Sequence, residues 1–349
     1  MISATANSPI SGPADTIGGD EIDATIERLE RERRQALRSI ALAVPAVLAQ
    51  LLVTAAPVIA LARVSLDGEI VDSYGHREMP EWIRPWVGWI IGALLVWVVT
   101  GLALMARTAL RMAVTPYRAW LGACKQTLLT AVCRQHFPTL AYEPRHGIAY
   151  RVFDASKLFE RDCDIYSSDD RFSGRIGHTE VCFAEAIAKH VRRRWFAGEH
   201  QSNEIEETYF RGIVFIADFH KHFHSATRIA PRTAKLPPIR HETPAIFENP
   251  EFESVFQVRT TDQVDIRYLL STRMLERFVE LNRSFPGLRA RFADERLMLM
   301  LPSPRDRFEP SVLVSVRSRH AIEAFVRDVR EILSVVDELQ LNTRIWSKT

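Results

Sequence analysis

The sequence predicts an α+β soluble domain, antiparallel strands with packed helices, attached to a two-helix transmembrane hairpin. Three observations carry this. Residues 39–62 and 85–106 are runs of 24 and 22 residues without an ionisable side chain, and about 20 apolar residues let a helix cross a bilayer. Arginine brackets both runs, with Arg38 and Arg63 around the first and Arg84 and Arg107 around the second. Beyond them, hairpin-like strand patterns precede amphipathic helix patterns, a segregation that favours α+β over alternating α/β.

The chain divides on this reading into six parts. Residues 1–20 are polar, rich in Ser, Gly, Ala and Pro, and free of Lys and Arg. They read as a disordered tail and lack the basic start of a secretory signal. Residues 21–38 form a charged cytoplasmic helix, whose sparse apolar positions Ile22, Ile26, Leu29 and Leu37 suit a solvated stub better than a coiled coil. Residues 39–62 are the first span, kinked by Pro45 and Pro57. Residues 63–84 are a short extracytoplasmic loop, and 85–106 are the second span, entered through Trp82, Trp86 and Trp89 as an interfacial belt. Residues 107–349 form the cytoplasmic domain. Arg28, Arg31, Arg33, Arg34 and Arg38 precede the first span, and Arg107, Arg111, Arg118 and Lys125 follow the second. Positive flanks stay in the cytoplasm, so both termini are placed there and the loop outside. Gly88 and Gly92 form a Gly-x-x-x-Gly pair, read as packing against Ala46 and Ala49 rather than as a homodimer contact.

The elements of the soluble part follow in order. Thr115-Pro116 is expected to break the membrane helix, and a second helix follows with Tyr117, Trp120, Leu121, Cys124, Leu128 and Val132 on one face, ending around His136 to Pro138. Gly147–Phe153 reads as a strand, Asp169-Asp170 as a turn, and Phe172–Ala184 as a strand pair bent at Gly174 and Gly177. A short helix through Phe183, Ile187 and Val191 is expected to end in Arg192, Arg193 and Arg194. His200–Glu207 reads as an acidic linker, Phe210–Phe219 as a buried central strand, and Pro231–Pro250 as a long loop. Val255–Arg259 and Val264–Leu269 read as strands, and a helix from Ser271 or Thr272 runs to Phe285. Leu288–Ala293 and Arg296–Leu301 pair across Asp294-Glu295, with Leu288, Ala290 and Phe292 on one face and Arg289 and Arg291 on the other. A closing helix packs on the sheet through Ile322, Phe325, Val329, Ile332, Val336 and Leu339.

Composition narrows the chemistry. Residues 107–349 hold 37 Lys and Arg against 31 Asp and Glu, a mild excess that suits an anionic membrane surface and is too dispersed for nucleic acid. Cys124, Cys133, Cys163 and Cys182 show no C-x-x-C spacing and read as buried thiols. Arg192–Arg194 could touch anionic lipid, or complement a helix C-terminus in water, the ordinary reading. His220, His222 and His224 sit at ligand-like spacing, but no completed ligand set accompanies them. No nucleophile elbow, P-loop or dinucleotide fingerprint is present, and no catalytic, cofactor-binding or metal residue is assigned. Asp169, Asp170, Asp218 and Asp262 read as turn or strand-end carboxylates.

Four segments in order carry a resemblance: Pro138–Ile148, Asp169–Glu185, Tyr209–Phe223 and Asn249–Phe278. The last is the most telling, with Phe252 and Phe256, Thr261-Asp262-Gln263, Arg267-Tyr268 and Leu270. Together they resemble DUF3137, bacterial membrane proteins of unknown function, from about Tyr117 to Trp346 plus the preceding hairpin. The resemblance implies an inner-membrane protein and no catalytic residue. Members are similar to proteins encoded beside LemA-type membrane proteins, which implies a membrane partner of that kind. On the residues themselves, Phe252, Phe256, Tyr268 and Leu270 read as core, and Arg267 as a buried cation paired with Asp262 or Glu253. The function expected is a membrane-tethered interaction or scaffold domain. The alternative is a membrane-associated enzyme or a ligand or metal sensor built on His220–His224 or Arg267.

Overall fold

The computed structural model describes residues 19–67, 86–195, 202–218, 225–339 and 341. The chain divides into two compact units, residues 1–124 with 312–317, and residues 125–311 with 318–349.

The first unit is helical. Helix α1 (Gly19–Asp67) joins the charged stretch and the first apolar run into one element, with Pro45 and Pro57 inside it. Leu29, Ala36 and Ala43 recur every seven residues and are buried, so this part of α1 is a packed helix and not a solvated stub. Glu30 is buried among donors: Arg33 Nη2 at 2.7 Å, Ser315 Oγ at 3.0 Å and the Val316 amide at 3.3 Å. The Arg33 bond and the other donors outweigh desolvation and hold its carboxyl at about 2. Helix α2 (Val87–Ala109) does not end at Thr115-Pro116. A π-turn at Leu110–Val114 leads directly into α3 (Thr115–Cys124). The wider turn accommodates a proline that lacks its N–H, and Thr115 Oγ1 donates to the Leu110 carbonyl at 2.9 Å.

Helices α1 and α2 are long and apolar enough to cross a membrane by length and composition, and only 6% of each apolar window is buried. This suggests membrane association. Their contact lies away from Gly88 and Gly92, where an added Cβ would find nothing within 4 Å. It lies instead at Gly101, where a Cβ would collide with the Thr54 side chain. The expected packing of Gly88 and Gly92 against the first helix is therefore corrected. Gly101 is the glycine the close approach requires, and hydrogen bonds flank it: Trp97 Nε1 to the Thr54 carbonyl at 3.3 Å and Gln50 Nε2 to Thr108 Oγ1 at 3.1 Å.

The second unit is α+β, as predicted. A π-turn (Lys125–Leu129) and α4 (Thr130–His136) lead into a nine-stranded antiparallel sheet. Its strands are β1 (Leu140–Glu143), β2 (Ile165–Ile176), β3 (Thr179–Trp195), β4 (Ser202–Asp218), β5 (Thr227–Pro231), β6 (Thr243–Ala245), β7 (Phe256–Thr260), β8 (Arg289–Ala293) and β9 (Arg296–Pro302). They lie in the order β1-β2-β3-β4-β9-β8-β5-β7-β6. The helices are α5 (Tyr150–Ala155), α6 (Pro250–Val255), α7 (Gln263–Leu269), α8 (Thr272–Ser284) and α9 (Arg319–Glu338).

Strand β4 is interior to the sheet, and Ile213, Val214 and Phe215 within it are fully buried, as its continuous apolar run predicts. Both faces of this half of the sheet are covered. Ala184, Ala186 and Ala188 of β3 join Phe153, Leu158, Phe210 and Val214 in one cluster. Phe172, Phe183, Phe308 and Phe325 stack in another, which α9 closes through Phe325. In the other half, Phe252, Phe256, Phe278 and Phe292 form a chain of tilted and edge-to-face rings.

Several expected elements change type. Phe183–Arg194 is strand β3 rather than a helix: Ala184, Ala186 and Ala188 are buried alternately with half-buried Glu185 and Ile187, and the strand pairs with β2 as far as Lys189 and with β4 throughout, which overrides the helix propensity of its alanines. Gly147–Phe153 is largely helix α5, a single turn and a half that buries Phe153 and leaves Tyr150 and Val152 exposed. Val264–Leu269 is helix α7. Asp262 Oδ1 accepts from the Val264 and Asp265 amides at 2.7 and 3.0 Å, an N-cap that starts a helix where alternation suggested a strand. The acidic linker is in part strand, since Glu204, Glu206 and Glu207 lie in β4. Between the end of β5 and the start of α6, residues 232–249 hold only the short β6. The β8–β9 hairpin turns at Asp294 and Glu295, both at positive φ (53° and 58°), the backbone that matches strand twist in two-residue hairpins.

Candidate functional site

Two features of the second unit gather chemistry: a buried polar network on the sheet and an open groove beside α7 and α8.

The network begins with a β-bulge. Between Asp169 and Phe172 the β2–β3 register shifts, and Asp170 adopts φ 53°. Aspartate tolerates this left-handed conformation better than most residues. So Asp169-Asp170 is a kink within β2 rather than the turn expected there. The kink turns Asp170 into the interior, where it is fully buried. Lys125 from the π-turn pairs with its Oδ2, and Tyr142 of β1 donates its hydroxyl to Oδ1 at 2.5 Å. Glu185, on β3 opposite Asp169, accepts from the Arg307 amide at 2.7 Å. Oxygen atoms of Asp169, Asp170 and Glu185 lie within 4.8 Å of one another. A cavity of about 30 Å³ opens among Ser167, Asp169, Glu185, Arg211, Arg305 and Asp306, the volume of roughly one water.

Burial sets the protonation states. It pushes Asp170 up to about 6, with Lys125 and Tyr142 pulling the other way. It pushes Glu185 up to about 9, helped by its hydrogen bond with Asp306. The Asp306 carboxyl is held low through that same bond, against its own desolvation. At neutral pH Glu185 therefore carries the proton and Asp306 the charge. The ammonium of Lys125 stays charged through Asp170, against desolvation. The Tyr142 phenol is raised by burial first and Asp170 second. Chemically this is a proton-holding latch. The three clustered carboxylates could reach one cation, yet Lys125 already supplies positive charge at Asp170, and Glu185 is neutral, the wrong state for a ligand.

A neighbouring set of charges holds the same segment to α9. Arg305 Nη2 meets Asp328 Oδ1 at 2.8 Å, and Arg307 Nη1 meets Glu331 Oε2 at 2.8 Å. Across the sheet, Arg228 is fully buried and paired with buried Glu242. It also donates to the Lys157 carbonyl at 2.5 Å and the Pro237 carbonyl at 2.9 Å. Arg291 reaches the Ala155 carbonyl at 2.6 Å, and Arg289 reaches that of Leu158. Three arginines thus satisfy the carbonyls at and just after the end of α5, and Arg228 also pins the loop 231–250.

The groove, of about 980 Å³, runs between residues 246–251 and the stretch from Arg267 to Leu275. Ile246, 73% exposed, lies at its wall, and Val264 (80%) and Tyr268 (51%) stand exposed on adjoining α7. Arg267 lines it. The expectation that Arg267 is buried against Asp262 or Glu253 is corrected: it is exposed and donates to the Gln263 carbonyl at 2.7 Å and Gln263 Oε1 at 3.1 Å. Helix α7 turns Ile266 and Leu269 inward and leaves Arg267 on its outer side. Tyr268 likewise stands outside the core expected to hold it, whereas Phe252, Phe256 and Leu270 are buried as expected.

The other singled-out residues are placed as follows. Arg192, Arg193 and Arg194 end no helix. They lie on β3 in register with Ile205, Glu204 and Asn203 of β4, and Arg192 sits 3.6 Å from Glu207. His220, His222 and His224 lie outside the described residues. Cys124 and Cys133 are buried, Cys163 and Cys182 partly so, and all four are free thiols. Sequence reasoning does not find Lys125, Tyr142, Glu185, Arg228 or Glu242 as members of a site. The one signal for Lys125 is its rarity, a lysine among six in a chain of 45 cationic residues.

No curated protein matches the chain. A solved structure described as the mycobacterial trehalose monomycolate transport factor A, TtfA, is 12% identical and aligns over 60% of this chain and 93% of that one, with a TM-score of 0.30. A likeness at that score carries no argument. The family model described as protein of unknown function (DUF3137) matches residues 208–341, from within β4 to just beyond α9. The groove, the Arg228–Glu242 pair and the Arg305–Asp328 contact fall inside that stretch, whereas Lys125, Asp170 and Glu185 precede it. Across residues 208–341 this chain carries the DUF3137 signature.

Proposed function

We propose that the chain is an integral protein of a bacterial inner membrane. In this reading α1 and α2 form the hairpin, both termini are cytoplasmic, and the α+β unit is a non-catalytic interaction platform that binds a protein partner through the 246–275 groove. The observation that carries it is the apolar surface of the two helices. Leu48, Leu52 and Val53 on α1 and Trp89, Leu95 and Val96 on α2 are all at least half exposed, a state that water penalises and lipid does not. The arginine-rich flanks support the orientation. The groove supports the platform, because exposed Ile246 lines it and exposed Tyr268 stands beside it on α7, next to buried Leu270.

Topology reporters inserted within residues 67–81 and fused after Thr349 test the anchor, and they are expected on opposite sides of the membrane. The same side for both overturns the hairpin. A photocrosslinker at Val264 in cells tests the platform. It is expected to yield one discrete protein adduct, abolished by Ile246→Asp. No adduct, or adducts unchanged by Ile246→Asp, overturns the groove assignment.

A further inference from the structure

The contact between α1 and α2 fixes their register. Gln50 lies beside Thr108, and Thr54 beside Gly101. The two apolar runs are therefore staggered. Arg107 ends the run of α2 next to the level of Gln50, while the run of α1 continues eleven residues further, to Ser39, about 16 Å of helix. Beside the Thr54–Gly101 contact, a groove of about 250 Å³ opens, lined also by Ala49, Gln50, Val53, Trp97, Thr100 and Leu104. Its walls are apolar except for the amide of Gln50, whose Oε1 is buried without a hydrogen-bond partner. Such an acceptor calls for a donor. Arg107, in the last turn of α2, and Arg111, in the π-turn after it, are both exposed and without an ion pair among the described residues.

We propose that this groove binds one anionic phospholipid from the surrounding bilayer. Its acyl chain lies against Val53, Trp97 and Leu104. A hydroxyl of a glycerol-type headgroup donates to Gln50 Oε1, and the phosphate pairs with Arg107 and Arg111. The stagger supplies what this needs: a polar-headgroup level on α2 facing an apolar strip on α1. The charge complementarity selects an anionic lipid over a zwitterionic one. The proposal rests on the membrane reading of the two helices.

The test uses the full chain in nanodiscs of equal phosphatidylglycerol and phosphatidylcholine, with native mass spectrometry of the released protein. The wild type is expected to retain one phosphatidylglycerol. Arg107→Gln and Arg111→Gln are each expected to lower the retained ratio of phosphatidylglycerol to phosphatidylcholine about fivefold. Ala49→Leu with Thr100→Leu fills the groove and is expected to abolish retention without changing flotation with vesicles. Lipid retained in the bulk ratio overturns the proposal, as does retention unchanged by filling the groove, or a doubled protein mass in place of bound lipid. A chain that fails to float with vesicles overturns the membrane reading itself. A chain that floats but retains no selected lipid overturns only the groove assignment.

Discussion

Removing the ammonium of Lys125 isolates a charge that the fold has committed to the interior. Asp170 is 0% exposed and Lys125 11% exposed at the side chain. In Lys125→Met, Asp170 keeps a single partner, the Tyr142 hydroxyl at 2.5 Å. Stripping one member from a buried ion pair costs about 3–5 kcal/mol. Protonation limits that cost. Asp170 already stands at about 6 with Lys125 present, and losing the cation moves it higher. Near pH 5 the carboxyl is neutral and the variant loses little. Near pH 8 it must either stay charged or take up a proton against the bulk, and the full penalty shows. Cys133 is a local reporter: it is buried on α4, and burial pushes its thiol up to about 11. In full-length protein, thiol labelling at Cys133 reads the opening equilibrium of this region. A cost of about 3 kcal/mol accelerates it roughly 150-fold at pH 8. Adding Asp170→Asn to the variant is expected to recover more than half of the loss. Labelling accelerated equally at both pH values refutes the reasoning, as does an effect at pH 8 below about 1 kcal/mol, the scale of a surface pair.

Three further outcomes follow from the same geometry. Glu185 lies at about 9, against an ordinary 4.5, because of burial and Asp306. The folded state thus keeps a proton that the unfolded chain releases. Its contribution is full below about pH 4.5 and fades as pH rises through 9, so thermal stability is expected to fall over that window and Glu185→Gln to flatten the profile, read by circular dichroism melts. Arg228→Met strands Glu242 in the interior and frees the Lys157 and Pro237 carbonyls. A loss of about 3–5 kcal/mol is expected, together with faster proteolysis within residues 231–250, whereas an unchanged cleavage rate would show that the loop is held by other contacts. Asp262→Ala removes the cap of α7 and is expected to cost about 1 kcal/mol, with hydrogen exchange faster at the Val264 and Asp265 amides than elsewhere in the unit.

What the sequence discloses here depends on whether the decisive interaction is local. The β8–β9 hairpin is legible because its alternation and its two-residue turn are contiguous in the chain, and α9 because its apolar stripe repeats along the whole helix. Strand β3 is not. Its alanines read as helix, and only pairing with β2 on one side and β4 on the other decides the matter. Helix α7 carries its own signal in Asp262, but the residues after it also alternate, and an aspartate between two apolar runs fits a turn as well as a cap. The buried network is the least legible. Lys125, Tyr142, Asp170 and Glu185 come from four separate elements, and nothing in any one of them shows that a bulge will turn Asp170 inward. Arg228 and Arg267 look alike in sequence for the same reason: both are arginines beside apolar residues, and only the tertiary partner, Glu242 or solvent, tells them apart.

The segment that carries the family signature serves two purposes at once. Phe252, Phe256 and Leu270 are buried beneath the groove, while Arg267 and Tyr268 stand in the open beside it. A helix separates these roles by rotation: at about 100° per residue, Ile266 and Leu269 turn inward and Arg267 and Tyr268 outward. A strand over the same residues, with Ile266 facing the core, would have turned Val264 and Tyr268 inward with it and Leu269 outward. Asp262 therefore does more than begin a helix. By setting the phase of α7 it decides which signature residues face the groove. The proton-holding latch can offer a visitor no comparable surface, since its cavity admits about one water and its charges already answer one another. If the unit is the platform proposed above, recognition falls to the groove, while the latch holds residues 303–307 to the sheet through Glu185.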